Sequence, residues 1–299
     1  MLQWLGPDFS SRILYNDFRN GKLCAVIHEI ASGAEKILPM PVYTVSKDGT
    51  RAVTLDFLRL NTLRPGYGYC NLPDQTCGET VPDGPCIWNI NLVTGETQEL
   101  FTYRRLFEYH TRDCMKGAFH KINHIMLNPS GNRFMFLHRW LLDGVKYDRM
   151  ITANYDGSDP CLMMDDDMVS HSNWKDDENI VSFANSKQFG NAYHLLKDHT
   201  QERKEFGAGI LNSDGHPSYS PDGKYLVTDT YPNFHHKQKI YLCDLQKNTI
   251  CSIVEIYHNT KYHDDTRCDL HPRWRPDSRE ICVDGACEAK RQVYKVSIP

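Results

Sequence analysis

Apolar and polar residues alternate in short runs along this chain, and a turn-forming group precedes each run. The runs are RILYND, RAVTLD, RFMFLH, NIVSFA, KYLVTD and EICVDG. Alternation over so few residues is the signature of a half-buried β-strand. The groups before them are Gly6-Pro7-Asp8, Ser46-Lys47-Asp48-Gly49, Asn128-Pro129-Ser130-Gly131, Lys175-Asp176-Asp177, Ser220-Pro221-Asp222-Gly223 and Arg275-Pro276-Asp277-Ser278. Proline presets the first turn dihedral and Asp-Gly closes the turn, which joins two strands as a hairpin. A second alternating hairpin follows most of these strands, as in AVIHEIASGAEKIL and CIWNINLVTGETQEL. No segment sustains a helical period, so little helix is expected.

The turn markers fall at positions 7, 47, 129, 175, 221 and 276, in steps of 40, 82, 46, 46 and 55 residues. Four short strands in each such step is the composition of a propeller blade. The expected fold is therefore all-β: a β-propeller of six visible four-stranded blades, in a single domain over residues 1–299. The long step holds a Gly-, Pro- and Cys-rich insertion at about 58–86. After EICVDG only QVYKVSIP remains, so the last blade is incomplete by one strand. Met1 leads straight into the first strand, which leaves no strand to lend. Either an N-terminal portion, up to a seventh blade, lies beyond these residues, or the ring is an open one of six.

Composition narrows the function. Of 299 residues, 40% are hydrophobic and 24% charged, enough apolar mass for a real core. A net charge of −4 and the lack of any basic block give no footprint for nucleic acid. No apolar run reaches the length of a membrane helix, and the first residues do not form a signal peptide, so no membrane partner is expected. Eleven cysteines, an odd number without a repeated CxxC pair, read as mostly reduced thiols in a cytoplasmic setting. Cys70, Cys77 and Cys86 lie close together, but without a nearby histidine they suit a loop better than a zinc site.

Histidine recurs at one register of the repeat. His124, His171, His216 and His271 each stand four to six residues before a turn, where successive blades would bring them to one mouth of a propeller. A histidine bonded within its own blade is the structural alternative at any single position. Four together, flanked by Asp214, Asp269 and Arg273, read as a shared polar site. Neutral imidazole with carboxylate suits a divalent metal, and Asp269 and His271, two apart on a strand, would share a face. Arg139 in FLHRW could grip a carboxylate in a fork or pair with an acid on the surface. Arg149 by default is an exposed strand arginine. Tyr67, Tyr69 and Trp140 could wall a sugar site or sit in the core, and Asp165-Asp166-Asp167 reads as a solvated turn, with calcium the weaker alternative.

Over about residues 120–299 the chain resembles the oligogalacturonate lyases, propellers of the broader TolB-like, WD40-like repeat group. The points of likeness are the DRM…DG segment, the SHxxW segment, His216 before the fifth turn and the His271-Pro272 pair. The resemblance implies a metal-assisted lyase acting on acidic oligosaccharides. It implies that Arg149 binds the uronate carboxylate and that His171 is the general base. Manganese would be held by His216, Asp269 and His271. From the register and the FLHRW segment, and not from the resemblance, His124, Arg139 and Arg273 are the expected substrate-binding residues. Asp269 stands where the family has a histidine, and a glutamine of the family's cluster falls near Thr266. In such a reaction a metal and an arginine offset the charge that builds on the carboxylate as the base removes the adjacent proton. Hydrolysis by paired carboxylates is less well supported, because no acid pair occupies the same register. A non-catalytic propeller that binds a glycan or protein through the same mouth is the alternative.

Overall fold

The computed structural model describes residues 2–298. It is all-β, built from six antiparallel sheets that are the blades of a β-propeller. The chain divides into two compact units, Met1–Met168 and Val169–Pro299.

The first unit holds three four-stranded meanders. The first runs β1 (Leu2–Leu5), β2 (Arg12–Arg19), β3 (Lys22–Glu29) and β4 (Glu35–Leu38). The second runs β5 (Thr44–Val45), β6 (Arg51–Leu55), β7 (Pro85–Asn91) and β8 (Thr97–Thr102). The third runs β9 (Phe119–Leu127), β10 (Arg133–Leu142), β11 (Val145–Asn154) and β12 (Cys161–Met164). Apolar residues facing the neighbouring sheet make the core: Leu5, Leu14, Ala25, Ala52 and Ile90 between the first two sheets, and Val53, Ile87, Phe101, Phe134 and Ile151 between the second and third.

The second unit holds two four-stranded sheets and one of three. They are β13 (Val169–Trp174) to β16 (Arg203–Phe206) through β14 (Asn179–Ser186) and β15 (Gly190–Lys197). Next come β17 (Ser218–Tyr219), β18 (Tyr225–Asp229), β19 (Lys237–Asp244) and β20 (Thr249–Tyr257). Last are β21 (Arg273–Trp274), β22 (Glu280–Gly285) and β23 (Gln292–Ser297), the expected incomplete blade. Val227, Ile240, Leu270, Ile281 and Val283 fill the space between the last two sheets.

The repeated turns work as their sequence indicates. Asp222 accepts hydrogen bonds from Ser220 Oγ (2.7 Å) and the Lys224 amide (3.2 Å), and Gly223 takes the left-handed conformation. At Gly49, φ is +70°, and a Cβ would lie 2.4 Å from the Gly6 carbonyl oxygen, so only glycine fits.

The insertion is more ordered than its composition suggests. It opens with helix α1 (Phe57–Leu63), capped by the Asp56 carboxylate, which accepts from the amides of Leu58 (3.1 Å) and Arg59 (3.0 Å). Arg59 is buried and staples the following loop, donating to the carbonyls of Thr76 (3.0 Å), Glu79 (2.8 Å) and His120 (2.6 Å). A second short helix, α2 (Tyr103–Glu108), follows β8. Neither helix is long and apolar enough to cross a membrane. All eleven cysteines are free thiols.

Candidate functional site

Three of the four register histidines lie in the second unit, and the fold brings them side by side. His171 is in β13, whereas His216 and His271 sit in the segments that enter β17 and β21. Their rings form a stack: His171 to His216 is 4.1 Å between centroids, and His216 to His271 is 3.7 Å. Tyr231 closes one side, 5.8 Å from the His216 ring and 6.4 Å from that of His171.

Each imidazole is held through Nδ1. His171 Nδ1 lies 3.2 Å from Asp214 Oδ1, and the other oxygen of Asp214 accepts from Ser170 Oγ at 2.6 Å. His216 Nδ1 is 2.9 and 3.0 Å from the two oxygens of Asp229. His271 Nδ1 faces the backbone carbonyl of Asp269 at 3.3 Å. An oxygen acceptor at Nδ1 keeps the proton there and makes Nε2 the basic nitrogen. All three rings are thereby set in one tautomer. Loss of hydration, and then the neighbouring His216 ring, push His271 below the ordinary histidine range, so it is neutral at pH 7.

Asp229, the last residue of β18, organises the stack. Its side chain is 1% exposed. Besides the His216 ring it accepts from the backbone amides of His216 (2.6 Å) and His271 (2.9 Å), so one carboxylate ties together the segments entering two sheets. Burial alone would raise its pKa, but the His216 ring and these amides outweigh it and hold the group below the usual carboxylate range. Gly215 lets the chain pass: a Cβ there would lie 1.8 Å from the Asp229 carbonyl oxygen. His271 adopts φ +43°, uncommon for a residue other than glycine, and the bond from its amide to Asp229 helps to hold it there.

The expected metal set does not fit an ion. Both oxygens of Asp269 are taken by Arg267, from Nε at 2.6 Å and from Nη2 at 2.8 Å. Among the described residues no three His, Cys, Asp or Glu side chains form a group that could hold a metal. His216 and His271 carry the right tautomer for ligation; the third ligand is committed elsewhere.

Arg149 is not a substrate-binding arginine. It is fully buried in the third sheet of the first unit, where Nη1 donates to the His110 carbonyl (3.0 Å) and Nη2 to that of Leu106 (2.7 Å). Its Nε donates to His138 Nδ1 (3.2 Å), His138 Nε2 lies 2.8 Å from His120 Nδ1, and His120 Nε2 faces the Met115 carbonyl (3.0 Å). The direction of the first bond fixes the others: His138 carries its proton on Nε2, and so does His120. Trp140, also buried, lies under the Arg149 guanidinium, and this explains why it is no sugar wall. Arg139 is likewise internal, in an ion pair with fully buried Asp148. The partner is an acid of the protein, but the pair is internal and not on the surface as expected.

His124 lies in β9 beside a register irregularity, half-buried and with φ +50°. Arg273 is paired with Asp284 at 2.8 and 3.1 Å. Tyr69 stacks on Phe57 (4.6 Å), and Asp165 and Asp167 pair with Arg112, as a structural turn would. Ser170, Tyr231 and Asp229 were not singled out in the sequence. For Asp229 a signal existed: an acid closing the apolar run YLVT is rarely buried without partners. Asp284 holds the equivalent position in the last sheet.

No family model matches this chain, and no curated protein matches it either. Solved structures do. An oligogalacturonate lyase in complex with manganese is similar over 99% of this chain and 76% of its own, with a TM-score of 0.70 at 17% identity. TolB from Acinetobacter baumannii is similar over 98% of this chain and 62% of its own, with a TM-score of 0.54 at 14% identity. The β-propeller domain of the Trilobed protease from Pyrococcus furiosus is similar over 100% of this chain and 80% of its own, with a TM-score of 0.60 at 11% identity. Likeness at such identity establishes the propeller fold, and the neighbours' differing activities leave function to the site.

Proposed function

We propose that the histidine stack of the second unit binds an acidic oligosaccharide and cleaves it by β-elimination, with His171 as the general base. The observation that carries this reading is the stack itself: three adjacent imidazoles, each held through Nδ1 by an oxygen. The likeness to an oligogalacturonate lyase supports the substrate class.

His171, oriented by Asp214, takes the proton on the carbon next to the uronate carboxylate. That electron pair forms the new ring double bond as the bond to the leaving sugar oxygen breaks. The leaving oxygen takes up a proton, from solvent or from a neighbouring imidazole, and the products are an unsaturated uronide and a sugar with a free hydroxyl. No step is routed through a metal, because the expected ligand set does not fit one. The cation facing the uronate carboxylate must be a residue other than Arg149.

Absorbance at the unsaturated-uronate band, with oligogalacturonides and with manganese present in every arm, tests the reaction. The wild type should give product, and His171→Ala should lower the rate by roughly 10²–10⁴, the usual contribution of a general base. Product formation unaffected by His171→Ala would refute the base assignment. Binding of uronides with no product from any of them would leave a non-catalytic glycan-binding propeller. The buried Arg149 favours that second reading.

A further inference from the structure

Beside the histidine stack lies a cavity of about 450 Å³, within the usual size range of small-ligand sites. Its lining includes His271, Arg267, Asp269, Asp284, Arg291 and Val293. His271 thus belongs both to the stack and to the cavity wall.

The two arginines and two aspartates of this wall balance in number but not in pairing, because Asp284 is taken by Arg273 from outside the lining. Arg267 is matched by Asp269 (2.6 and 2.8 Å), and Asp284 by Arg273 (2.8 and 3.1 Å). Arg291 is left over: among the described residues no carboxylate lies within ion-pair distance of it. Its guanidinium is nevertheless positioned. Nη2 donates to the backbone carbonyls of Thr266 and Arg267, and the group lies over the Tyr262 ring, 5.4 Å from its centroid. Nε and Nη1 make no hydrogen bond among the described residues, so two separate donors of a fixed, charged guanidinium stay available, one on each side of the engaged Nη2. An anionic oxygen, such as that of a carboxylate, can accept a charge-assisted hydrogen bond from either donor.

We propose that this cavity is the subsite for the acidic group of the sugar and that Arg291 is its anchor. The proposal rests on the acidic-oligosaccharide reading of the stack and supplies the cation that buried Arg149 does not. An arginine already held by two carbonyls and a ring loses little freedom when it binds.

Calorimetric titration with trigalacturonate, its methyl ester and a sulfated trisaccharide of similar size tests it, on wild type, Arg291→Gln and Arg291→Lys. Wild type should bind the acid 10- to 100-fold more tightly than the ester, the range for one charge-assisted contact. Arg291→Gln should lose that preference while binding the ester unchanged, and Arg291→Lys should recover part of it. A sulfated trisaccharide bound more tightly than trigalacturonate would refute a subsite for the uronate. Equal trigalacturonate affinity in wild type and Arg291→Gln would overturn the anchor, whatever the elimination assay gives. Arg291-dependent binding without any unsaturated product would keep the subsite and refute the lyase. If wild type binds no uronide, both fail.

Discussion

Replacing Asp229 with alanine is the sharpest test of how the histidine stack is assembled. The carboxylate is buried and serves three donors: the His216 ring, the His216 amide and the His271 amide. Alanine leaves all three short of an acceptor in a closed space. Each unsatisfied buried donor costs about 1–3 kcal/mol. The losses are not additive within one network, so about 3–5 kcal/mol is expected, as for breaking a buried ion pair. Asn keeps one acceptor oxygen but points an amide at a donor, and about 2 kcal/mol is expected for it. Asp269→Ala is the control, because its partly exposed pair with Arg267 should contribute about 1 kcal/mol or less. Urea titrations give these differences as midpoint shifts at constant slope. If Asp229→Ala falls within about 1 kcal/mol of Asp269→Ala, the clamp described here does not organise the site.

Two further outcomes follow from the buried network of the first unit. Burial first, and Arg149 second, lower His138 well below the ordinary histidine range; burial chiefly lowers His120 to about 4. Both are neutral when folded, whereas the unfolded chain takes up their protons below about pH 6.5, so stability should decline as pH falls from there towards 4. In NMR titrations these two rings should keep neutral-imidazole shifts down to pH 5; titration near 6.5 would contradict the network. Arg149→Lys should cost about 3 kcal/mol or more, because the His110 and Leu106 carbonyls and His138 cannot all be served by one ammonium. Its uronide affinity should match wild type once folded, and a selective loss of binding with normal stability would return Arg149 to the substrate site.

The chain's alternation and its six turn groups specified the propeller blades, including the three-stranded last one, because strand period and turn chemistry are local properties. The histidine register foretold that His171, His216 and His271 would meet, since equivalent positions in successive blades are equivalent in space. Partner choice was not local. At or beside the end of a repeat's second strand stand Asp56, which caps a helix, Asp229, which clamps two histidines, and Asp284, which pairs with Arg273. His138, inside β10, joins an interior chain of hydrogen bonds. Nothing in the run of residues distinguishes these fates. Arg149 and Arg139 read as exposed or ligand-binding residues for the same reason: only the folded sheets supply the carbonyls, the imidazole and Asp148 that let an arginine be buried. Asp269 was lost to the metal set when folding placed Arg267 across both its oxygens. Periodicity decides which face a residue takes, but only tertiary packing decides what it finds there.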